Sequence, residues 1–498
     1  MKKNLFISIA LAATLFVSAQ QKNILLEQSF WKTSPDVSAV KAEIEKGSNP
    51  SQPNQNAFDP VVLAINNDAP IATIKFLLEQ PGNPVNKMTH DSRIYLHWAA
   101  NKGNIELVEY LIAKGSDINL EDSKGATPVV FAASNGQSNT ALYDTFFKAG
   151  IDPKKKYRDG ANLLLMAIPN DKDLVLSTYF ATKGMSLKDV DNQGNTAFNY
   201  AARSGNVALL KKLLEKGVKF NDNALLIAAQ GARREATSLE AYKYLVEEVK
   251  IKPTAVTKSG ENVLHFLVAK PNQTEIVTYF LAKGVDANKT DKDGNTPLMI
   301  AASAKDTAVL EKLLPVVKNL NAQNSKGESA LTFAVKSGTP EAVEILLAKG
   351  ADVAVKDKDG NNLGFYLVQS YRPQNSREAT SAKDPFDAKI KLLQDKGLNL
   401  ATPQVDGSTL YHIAMVKNDL TLLKKLASLN IDVNAKNKDG LTALHKAAMV
   451  SKDDSILKYL LSIGAKKDIQ TEFDESAYAL AKENETLTKN NVSLEFLK

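Results

Sequence analysis

Short apolar segments recur along the chain with the spacing of helix faces. In the unit from Asn324 to Lys356, an apolar stretch over 330–336 predicts a first, short helix. A second helix is predicted after Thr339, because a threonine cap followed by Pro340 favours a helix start. Its apolar residues lie at positions i, i+3 and i+4, namely Val343, Leu346 and Leu347. That spacing gives the second helix one apolar face, which must pack against neighbouring elements.

Two series of glycines punctuate the chain with a common period of about 33 residues. The first series lies in Asp-x-x-Gly or Asp-Gly turns and their near variants, with one double interval and one insertion of 14 residues: Gly125, Gly160, Gly194, Gly260, Gly294, Gly327, Gly360, Gly407 and Gly440. The second series follows the predicted second helices: Gly115, Gly150, Gly184, Gly217, Gly284, Gly350, Gly397 and Gly464. Each unit therefore has a tight turn and a helix that ends at a glycine.

These units resemble the ankyrin repeat, which has a period of 33, a β-turn, two helices and a T-P-L-H-x-A pattern. The best local matches are Gly294–Ala302 and Gly440–Ala448. The resemblance implies an all-α repeat solenoid in which each repeat is a helix-turn-helix with a β-turn finger. We count about twelve full repeats over 55–469, between helical caps at 20–54 and a capping half-repeat at 470–498.

Two departures from the pattern locate irregular places. Between Gly217 and Ala229 the chain is shortened, so the finger around 221–223 is predicted to be missing or stunted. The stretch 219–253 also lacks an Asp-x-x-Gly glycine, which makes it the predicted weak point of the array. The 14-residue insertion falls between the two helices of one repeat, over 369–387, and starts with a loop-like sequence.

The first residues have the pattern of a secretory signal peptide. Two lysines follow Met1, an apolar stretch covers 5–17, and Val17-Ser18-Ala19 forms a small-residue cleavage site. The apolar stretch is shorter than the roughly 20 residues that cross a bilayer. We therefore expect residues 1–19 to be removed and the mature chain to be periplasmic or secreted, without membrane insertion.

Composition narrows the possible chemistry. The chain has no cysteine, which excludes disulfides, thiol nucleophiles and cysteine-ligated metals. A net charge of +6 over 498 residues is too weak a bias to indicate nucleic acid as a partner.

Histidines and turn carboxylates favour structural roles. Four of the five histidines, His97, His265, His412 and His445, occupy the same repeat position, which is typical of packing and hydrogen bonding rather than catalysis or metal binding. The turns 291–294 and 357–360 carry alternating aspartates, but neither continues to the twelfth ligand of a calcium loop. No phosphate-binding loop, zinc helix or nucleophile elbow is present. We expect no enzyme activity, cofactor or metal.

Aromatic residues follow the histidine position in several repeats. The recurrence at one helix register predicts core packing. These residues are Trp98, Phe131, Tyr200, Phe266, Phe333 and Tyr366.

A repeat solenoid offers an extended binding face, so the sequence favours a scaffold that binds a protein partner on a concave surface. The resemblance places partner contacts on the turn fingers and on the exposed end of the first helix. Tyr157 is added because it stands beside Arg158 in the basic run 154–158, and the insertion adds two more residues. The predicted contacts are Tyr157, Arg158, Asn195, Arg203, Lys258, Lys292, Asn295, Lys336, Lys358, Asn361, Tyr371 and Arg372. This face is polar, which suggests a hydrated, acidic protein surface as partner. An accessory protein that stabilises or inhibits one enzyme is the alternative, and an unrecognised hydrolase is a third.

Overall fold

The computed structural model describes residues 22–231, 236–373 and 384–498. The predicted signal peptide lies outside these residues. The chain divides into two compact units, 1–224 and 225–498. The boundary falls inside the stretch 219–253 that the sequence singles out as irregular.

The first unit is built from pairs of short helices. After two helices of the predicted N-terminal cap, each pair has a first helix, termed inner, and a second helix, termed outer. Their bounds in chain order are α1 Gln28–Trp31, α2 Val37–Glu45, α3 Pro60–Asn66, α4 Ile71–Leu78, α5 Tyr95–Lys102, α6 Ile105–Ala113, α7 Pro128–Ser134, α8 Thr140–Lys148, α9 Leu163–Ala167, α10 Val175–Thr182, α11 Ala197–Ala202 and α12 Val207–Glu215.

The helix α13, Asn223–Gln230, contains the boundary, and the second unit continues the same alternation. Its helices are α14 Leu239–Lys243, α15 Val263–Leu267, α16 Thr274–Ala282, α17 Pro297–Ala302, α18 Ala308–Leu313, α19 Ala330–Ser337, α20 Pro340–Ala348, α21 Leu363–Ser370, α22 Pro385–Asp395, α23 Leu410–Ala414, α24 Leu420–Leu426, α25 Ala443–Val450, α26 Ser455–Ser462, α27 Ala477–Glu483 and α28 Glu485–Lys489. Within the described part of the chain no β-strand forms, and the fingers contribute only isolated bridges such as Gln323 with Ser329.

Inner helices pack on inner helices and outer helices on outer helices within each unit. In the second unit α17 contacts α19 and α19 contacts α21, while α16 contacts α18 and α20 contacts α22. The apolar face predicted for the second helix of 324–356 is buried, since Val343, Leu346 and Leu347 are at most 5% exposed. The fold is therefore an all-α repeat solenoid, and its core lies between successive repeats.

Glycines act at the two predicted kinds of position. Gly350 ends α20 with φ of 89°, and a side chain there would meet open space, so the backbone conformation alone requires glycine. Gly327, with φ of 82°, also has a steric reason, because a Cβ would lie 2.6 Å from the backbone nitrogen of Lys358. Successive fingers thus approach each other too closely for a side chain at this position.

The fingers are joined by backbone hydrogen bonds from one repeat to the next. In the second unit the amide of Lys292 donates to the carbonyl of Ser259 at 2.6 Å, and that of Ser325 donates to Asp293 at 2.8 Å. The amide of Lys358 donates to Lys326 at 2.9 Å. These bonds fix the spacing of the fingertip side chains.

The irregular places follow the sequence-based expectations. Residues 216–222 connect α12 to α13, whereas residues 283–296 connect α16 to α17, so the finger near 221–223 is indeed stunted. The insertion separates α21 from α22, although its predicted limits 369–387 overlap the ends of both helices. Of the insertion, residues 374–383 lie outside the described residues. The limits of the caps and the count of twelve repeats stay predictions.

Candidate partner-binding surface

The in-register histidines tie the start of each inner helix to the next finger. In His445 the ring Nδ1 accepts the amide of Thr442 at 3.0 Å, and Nε2 lies 2.9 Å from the carbonyl oxygen of Ile469. His412 makes the same pair of contacts, with the amide of Thr409 at 3.1 Å and the carbonyl of Leu441 at 2.9 Å. Both contacts can form only in the tautomer in which Nε2 is protonated and Nδ1 is not.

His97 and His265 repeat this arrangement. Nδ1 of His97 accepts the amide of Ile94 at 3.3 Å, and Nε2 lies 2.9 Å from the carbonyl of Ala126. Burial lowers the pKa of all four imidazole rings below the ordinary value of 6.5, although the backbone contacts act in the opposite direction. The four histidines thus make the hydrogen bonds that the sequence predicted for them, and their lowered pKa favours the neutral ring.

The fifth histidine lies in a finger turn of the first unit. His90 stacks on Phe58 with ring centroids 4.6 Å apart, and its Nδ1 lies 2.9 Å from the carbonyl oxygen of Asn56. Its Nε2 lies 3.6 Å from the carboxylate of Asp91. These contacts fix the turn against the preceding repeat.

The aromatic residues after the histidine position are only partly core, which corrects the prediction. Trp98, Phe131 and Tyr366 are buried, but Tyr200, Phe266 and Phe333 are half-buried. The reason is that this position faces the finger of its own repeat rather than the centre of the core. The hydroxyl of Tyr366 accordingly donates to Asp357 at 2.5 Å, and that of Tyr200 to Asp191 at 3.0 Å.

An open groove of about 440 Å³ lies between the fingers and the inner helices of the second unit. It brings together Lys336, Lys358 and Asn361, three of the predicted contact residues. Its remaining lining is Ser325, Lys326, Glu328, Asp357, Asp359, Phe365, Tyr366 and Gln369. Of the twelve predicted residues, these three are the ones placed in a common groove.

The groove walls are held by charged hydrogen bonds. Glu328 accepts from Lys336 Nζ at 3.0 Å and from the amide of Asn324 at 3.0 Å. Burial raises the pKa of the Glu328 carboxyl, but the bonds from Asn324 and Lys336 more than offset this, so the pKa falls below 4.5. For Asp357, burial is likewise outweighed by bonds from Tyr366 and Asn361, which lower its pKa. The groove thus contains ionised carboxylates whose hydrogen-bonding capacity is largely used internally.

Most of the predicted cationic contact residues are exposed within their own units. Lys258, Lys292 and Lys358 are exposed at the fingertips of the second unit. Arg158 and Arg203 are exposed in the first unit. Lys336 is less available because its ammonium pairs with Glu328 and lies 5.5 Å from the ring centre of Tyr366. The role of these residues in partner contact stays a prediction.

Three predicted asparagines serve the turns instead of offering free side chains. Asn195 is only 5% exposed, and its amide donates to Asp191 at 2.9 Å. Asn295 and Asn361 donate in the same way to the aspartate four residues earlier, each at 3.0 Å. In these Asp-x-x-Gly turns the amide donates to the second carboxylate oxygen of the turn aspartate, so the asparagine side chain is used within its own finger.

Two predicted tyrosines are also less exposed than expected. Tyr371 is 4% exposed and donates to Asp419 at 3.0 Å, and burial followed by that carboxylate raises its pKa to about 12. Tyr157 is half-buried, and burial raises its pKa. Arg372, by contrast, is exposed and donates to the carbonyl oxygen of Gln369 at 2.8 Å.

The turns with alternating aspartates are closed by their own hydrogen bonds. Asp291 accepts the amides of Asp293 and Asn295 at 2.9 and 2.8 Å. Over the ranges 22–231, 236–373 and 384–498, no group of three or more His, Asp or Glu side chains has the geometry of a metal site. In those same ranges no helix is long and apolar enough to cross a bilayer.

Comparison with known families decides the identity of the repeats. A family model described as ankyrin repeats in three copies matches residues 61–156, 131–224, 264–357 and 379–471, which is more than half of the chain. The chain belongs to the ankyrin-repeat family. The inner and outer helices, the fingers and the in-register histidines are therefore the parts of ankyrin repeats.

Three relatives show how much of each chain the similarity covers. The human transient receptor potential cation channel subfamily A member 1 is 24% identical over 412 residues, covering 79% of this chain and 32% of the channel. The ankyrin repeat and KH domain-containing protein mask-1 of Caenorhabditis elegans is 26% identical over 53% of this chain and 10% of its own length. The phosphocholine transferase AnkX of Legionella pneumophila is 25% identical over 55% of this chain and 23% of its own length. The chain spans a third or less of each of these relatives.

Sequence reasoning missed part of the groove. Glu328 and Tyr366 were not proposed as surface residues, yet both line the groove. A usable signal was the spacing of Asn324 and Glu328, which matches Asp357 and Asn361 in the next finger. Glu328 stands where the next finger has the amide of Asn361, and Lys336 follows it eight residues later, so the two side chains could have been predicted to pair.

Proposed function

We propose that this ankyrin-repeat protein is a non-catalytic scaffold that binds a protein partner on its fingers and inner-helix face. The observation that supports this most directly is the groove of the second unit. Its walls are fixed by the ion pair of Lys336 with Glu328 and by finger-to-finger hydrogen bonds, while Lys358 in its lining and Lys292 on an earlier finger are exposed. A rigid surface loses little conformational entropy when a partner binds. Exposed lysines favour a partner with acidic side chains.

The matched test uses charge reversal on two faces of the same unit. Lys292→Glu with Lys358→Glu changes the fingertips, and Lys312→Glu with Lys349→Glu changes exposed positions on the outer-helix side by the same charge. Cross-linking of the tagged chain in its native fraction should identify a partner whose recovery falls at least tenfold with the first pair only. Equal recovery with both pairs would contradict binding through the fingers.

The same experiment separates the scaffold from the accessory role. Several partners that compete for the fingers support the scaffold. One stoichiometric enzyme whose activity changes on binding supports the accessory protein instead. Recovery of nucleic acid in place of protein would contradict the proposed partner class.

We also propose that this binding takes place outside the cytoplasm, after removal of residues 1–19. The proposal is supported by the basic start, the apolar stretch 5–17 and the small residues before Gln20. Intact-mass measurement of the native protein should give a chain that begins at Gln20. Retention of Met1 on the native protein would contradict export by this route.

A further inference from the structure

The C-terminal repeats present an apolar patch at a position where preceding repeats of the second unit have polar or small side chains. This position is the seventh residue after the cap of each inner helix. In the repeats of α17, α19 and α21 the residue at this position is Ser303, Lys336 and Gln369, respectively. In the repeats of α23 and α25 it is Val416 and Met449. The exposure of these two side chains is large, at 87% for Val416 and 49% for Met449.

The apolar side chains belong to elements that pack against each other. Val416 lies in the 3-10 turn Met415–Lys417, which packs against α25. Val450 follows Met449 at the end of α25 and is 48% exposed. We call Val416, Met449 and Val450 the end patch. Exposed apolar side chains that cluster in this way mark interaction sites, whereas single ones need no explanation.

Positive charge borders the end patch. Lys417 and Lys452 are exposed and Lys446 is half-buried, and each lies within four residues of a patch side chain in the sequence. Exposed cations at the rim of an apolar patch complement acidic side chains on a partner.

The carboxylates nearest to the end patch in the sequence are engaged elsewhere. Asp419 accepts the Tyr371 hydroxyl at 3.0 Å and caps α24. Asp453 accepts the amide of Ser455 at 2.9 Å. Asp454 pairs with a lysine of its own helix at 2.6 Å. Glu483, at the equivalent position of α27, is an exposed carboxylate on the side of the patch towards the last repeat. The lysines of the repeats of α23 and α25 are therefore the cations that a partner meets, and they outnumber this carboxylate.

The spacing of the patch fits a helix. Neighbouring inner helices pack about 8–10 Å apart, so equivalent positions on them have a similar separation. Residues i and i+7 on one face of an α-helix are separated by about 10.5 Å. We propose that the end patch binds an amphipathic helical segment of a protein partner, with apolar residues seven apart and acidic residues that meet Lys417, Lys446 and Lys452. This proposal rests on the proposed scaffold function and assigns the partner's chemistry at one end of the surface.

The test uses the full mature chain and designed peptides, so it needs no knowledge of the natural partner. The probe is a fluorescein-labelled helical peptide of about five turns with leucines at i, i+3 and i+7 and glutamates on the flanks. Matched probes replace the glutamates with lysine, or the leucines with serine. Fluorescence anisotropy should show binding of the acidic leucine peptide at least tenfold tighter than either matched probe.

Variants locate the binding. Val416→Ser with Met449→Ser should weaken binding of the acidic peptide at least tenfold, and circular dichroism should show an unchanged melting curve because both side chains are exposed. Val175→Ser is the control, since Val175 is 54% exposed and belongs to the first unit. Equal binding of acidic and basic peptides, or equal affinity in the double variant, would overturn the proposal.

Two further outcomes distinguish binding at the end patch from the proposed scaffold function. If the natural partner is lost with the fingertip variants but retained at full affinity by Val416→Ser with Met449→Ser, the scaffold stands and the end patch is wrong. Sedimentation with phosphatidylglycerol vesicles, compared with phosphatidylcholine vesicles, tests whether the end patch binds an anionic membrane surface. Vesicle binding that the double variant abolishes, without binding of the acidic peptide, would replace the protein partner by an anionic bilayer.

Discussion

At the residue scale, how much a threonine cap stabilises its inner helix depends on the residue three positions later. Thr442 Oγ1 lies 3.0 Å from Nδ1 of His445 and accepts that residue's amide at 3.4 Å. In the repeat of α7 the same position is Val130, and the buried Thr127 hydroxyl has no hydrogen-bond partner. An unmade buried hydrogen bond costs about 1–3 kcal/mol, so the two threonines should behave differently.

The prediction compares Thr442→Val with Thr127→Val. The first should lower the local free energy of unfolding by about 1–2 kcal/mol, because it removes a cap and leaves the histidine contact unmade. The second should change it by less than about 0.5 kcal/mol or stabilise, because the lost hydroxyl was unsatisfied. Hydrogen exchange of the α25 and α7 amides measures both. Equal losses would show that the histidine contact contributes nothing.

The neutral histidines also give a pH dependence with a definite sign. Their pKa values are lower in the folded chain than the ordinary 6.5, so the unfolded chain binds more protons just below that pH. Stability is therefore complete above about pH 6.5 and decreases as the pH falls towards the lowered folded values. The melting temperature should decrease over this window.

The control is His265→Asn with His412→Asn. Asparagine occupies this position naturally at Asn199, where its amide reaches the carbonyl of Asn221 at 3.3 Å. The variant should keep most of its stability at about pH 7.5, where the rings are neutral, and lose less on acidification than the natural chain. An identical acid dependence in both proteins would assign the effect to other groups.

At the element scale, inner helices are capped from the following repeat. Asn170 donates to the carbonyl of Ser134 at 3.0 Å, and Asn484 donates to that of Ala448 at 3.0 Å. Such bonds satisfy carbonyls that have no partner within the helix. In α19 the donor is instead Lys389 of α22, which reaches the carbonyl of Val335 at 2.9 Å and is 4% exposed. A buried ammonium thus replaces a neutral amide.

Burial, together with the charge of Arg372, lowers the pKa of Lys389 to about 8. The folded chain releases this proton before the unfolded chain does, so stability rises between about pH 8 and 10.5, and below pH 8 the full cost of the buried charge is present. Lys389→Met removes this buried charge and also the hydrogen bond to Val335. The combined effect should raise the free energy of unfolding at about pH 7 by roughly 1–3 kcal/mol.

Urea unfolding at about pH 7 and about pH 10 measures the effect, and the difference between variant and natural chain should shrink at the higher pH. Lys391→Met is the control, because Lys391 lies on the same helix and is exposed, with a surface pair to Asp395 at 2.8 Å. It should change stability by less than about 1 kcal/mol at both pH values. A pH-independent gain from Lys389→Met would argue against a buried ammonium.

At the scale of the whole molecule, the stunted finger coincides with the boundary between the two units at residues 224 and 225. The stability of a repeat protein is approximately the sum of the stabilities of its repeats and of the interfaces between neighbouring repeats. A poorly packed interface therefore allows the parts of the array on either side to unfold separately. We predict two calorimetric transitions, separated at 219–253.

Matched core substitutions assign the transitions. Leu111→Ala in the first unit and Leu346→Ala in the second each remove a fully buried side chain, at a cost of about 2–5 kcal/mol. Each should lower one transition by several degrees and leave the other in place. If both substitutions shift a single transition, or if amides at 221–223 exchange as slowly as those near Gly294, the weak interface is absent.

The sequence alone determined the repeat, because its period, its two glycine positions and its helix caps are local chemistry. Gly350 needs only a positive φ, and Thr442 needs only a neighbouring amide, so both can be interpreted without knowing what packs nearby. The same reasoning located the missing finger and predicted the shared role of four histidines. Locally encoded features of this kind recur in register and are therefore visible in one chain.

Tertiary structure decided which polar and apolar side chains are available. Asn195 looked like a contact and is buried, because Asp191 of its own turn and the neighbouring Asn223 take its hydrogen bonds. Val416 is an apolar residue of the 3-10 turn after α23 and is nevertheless 87% exposed. Exposure depends on what the next repeat places against a side chain, a long-range property that hydrophobic periodicity within one repeat does not contain.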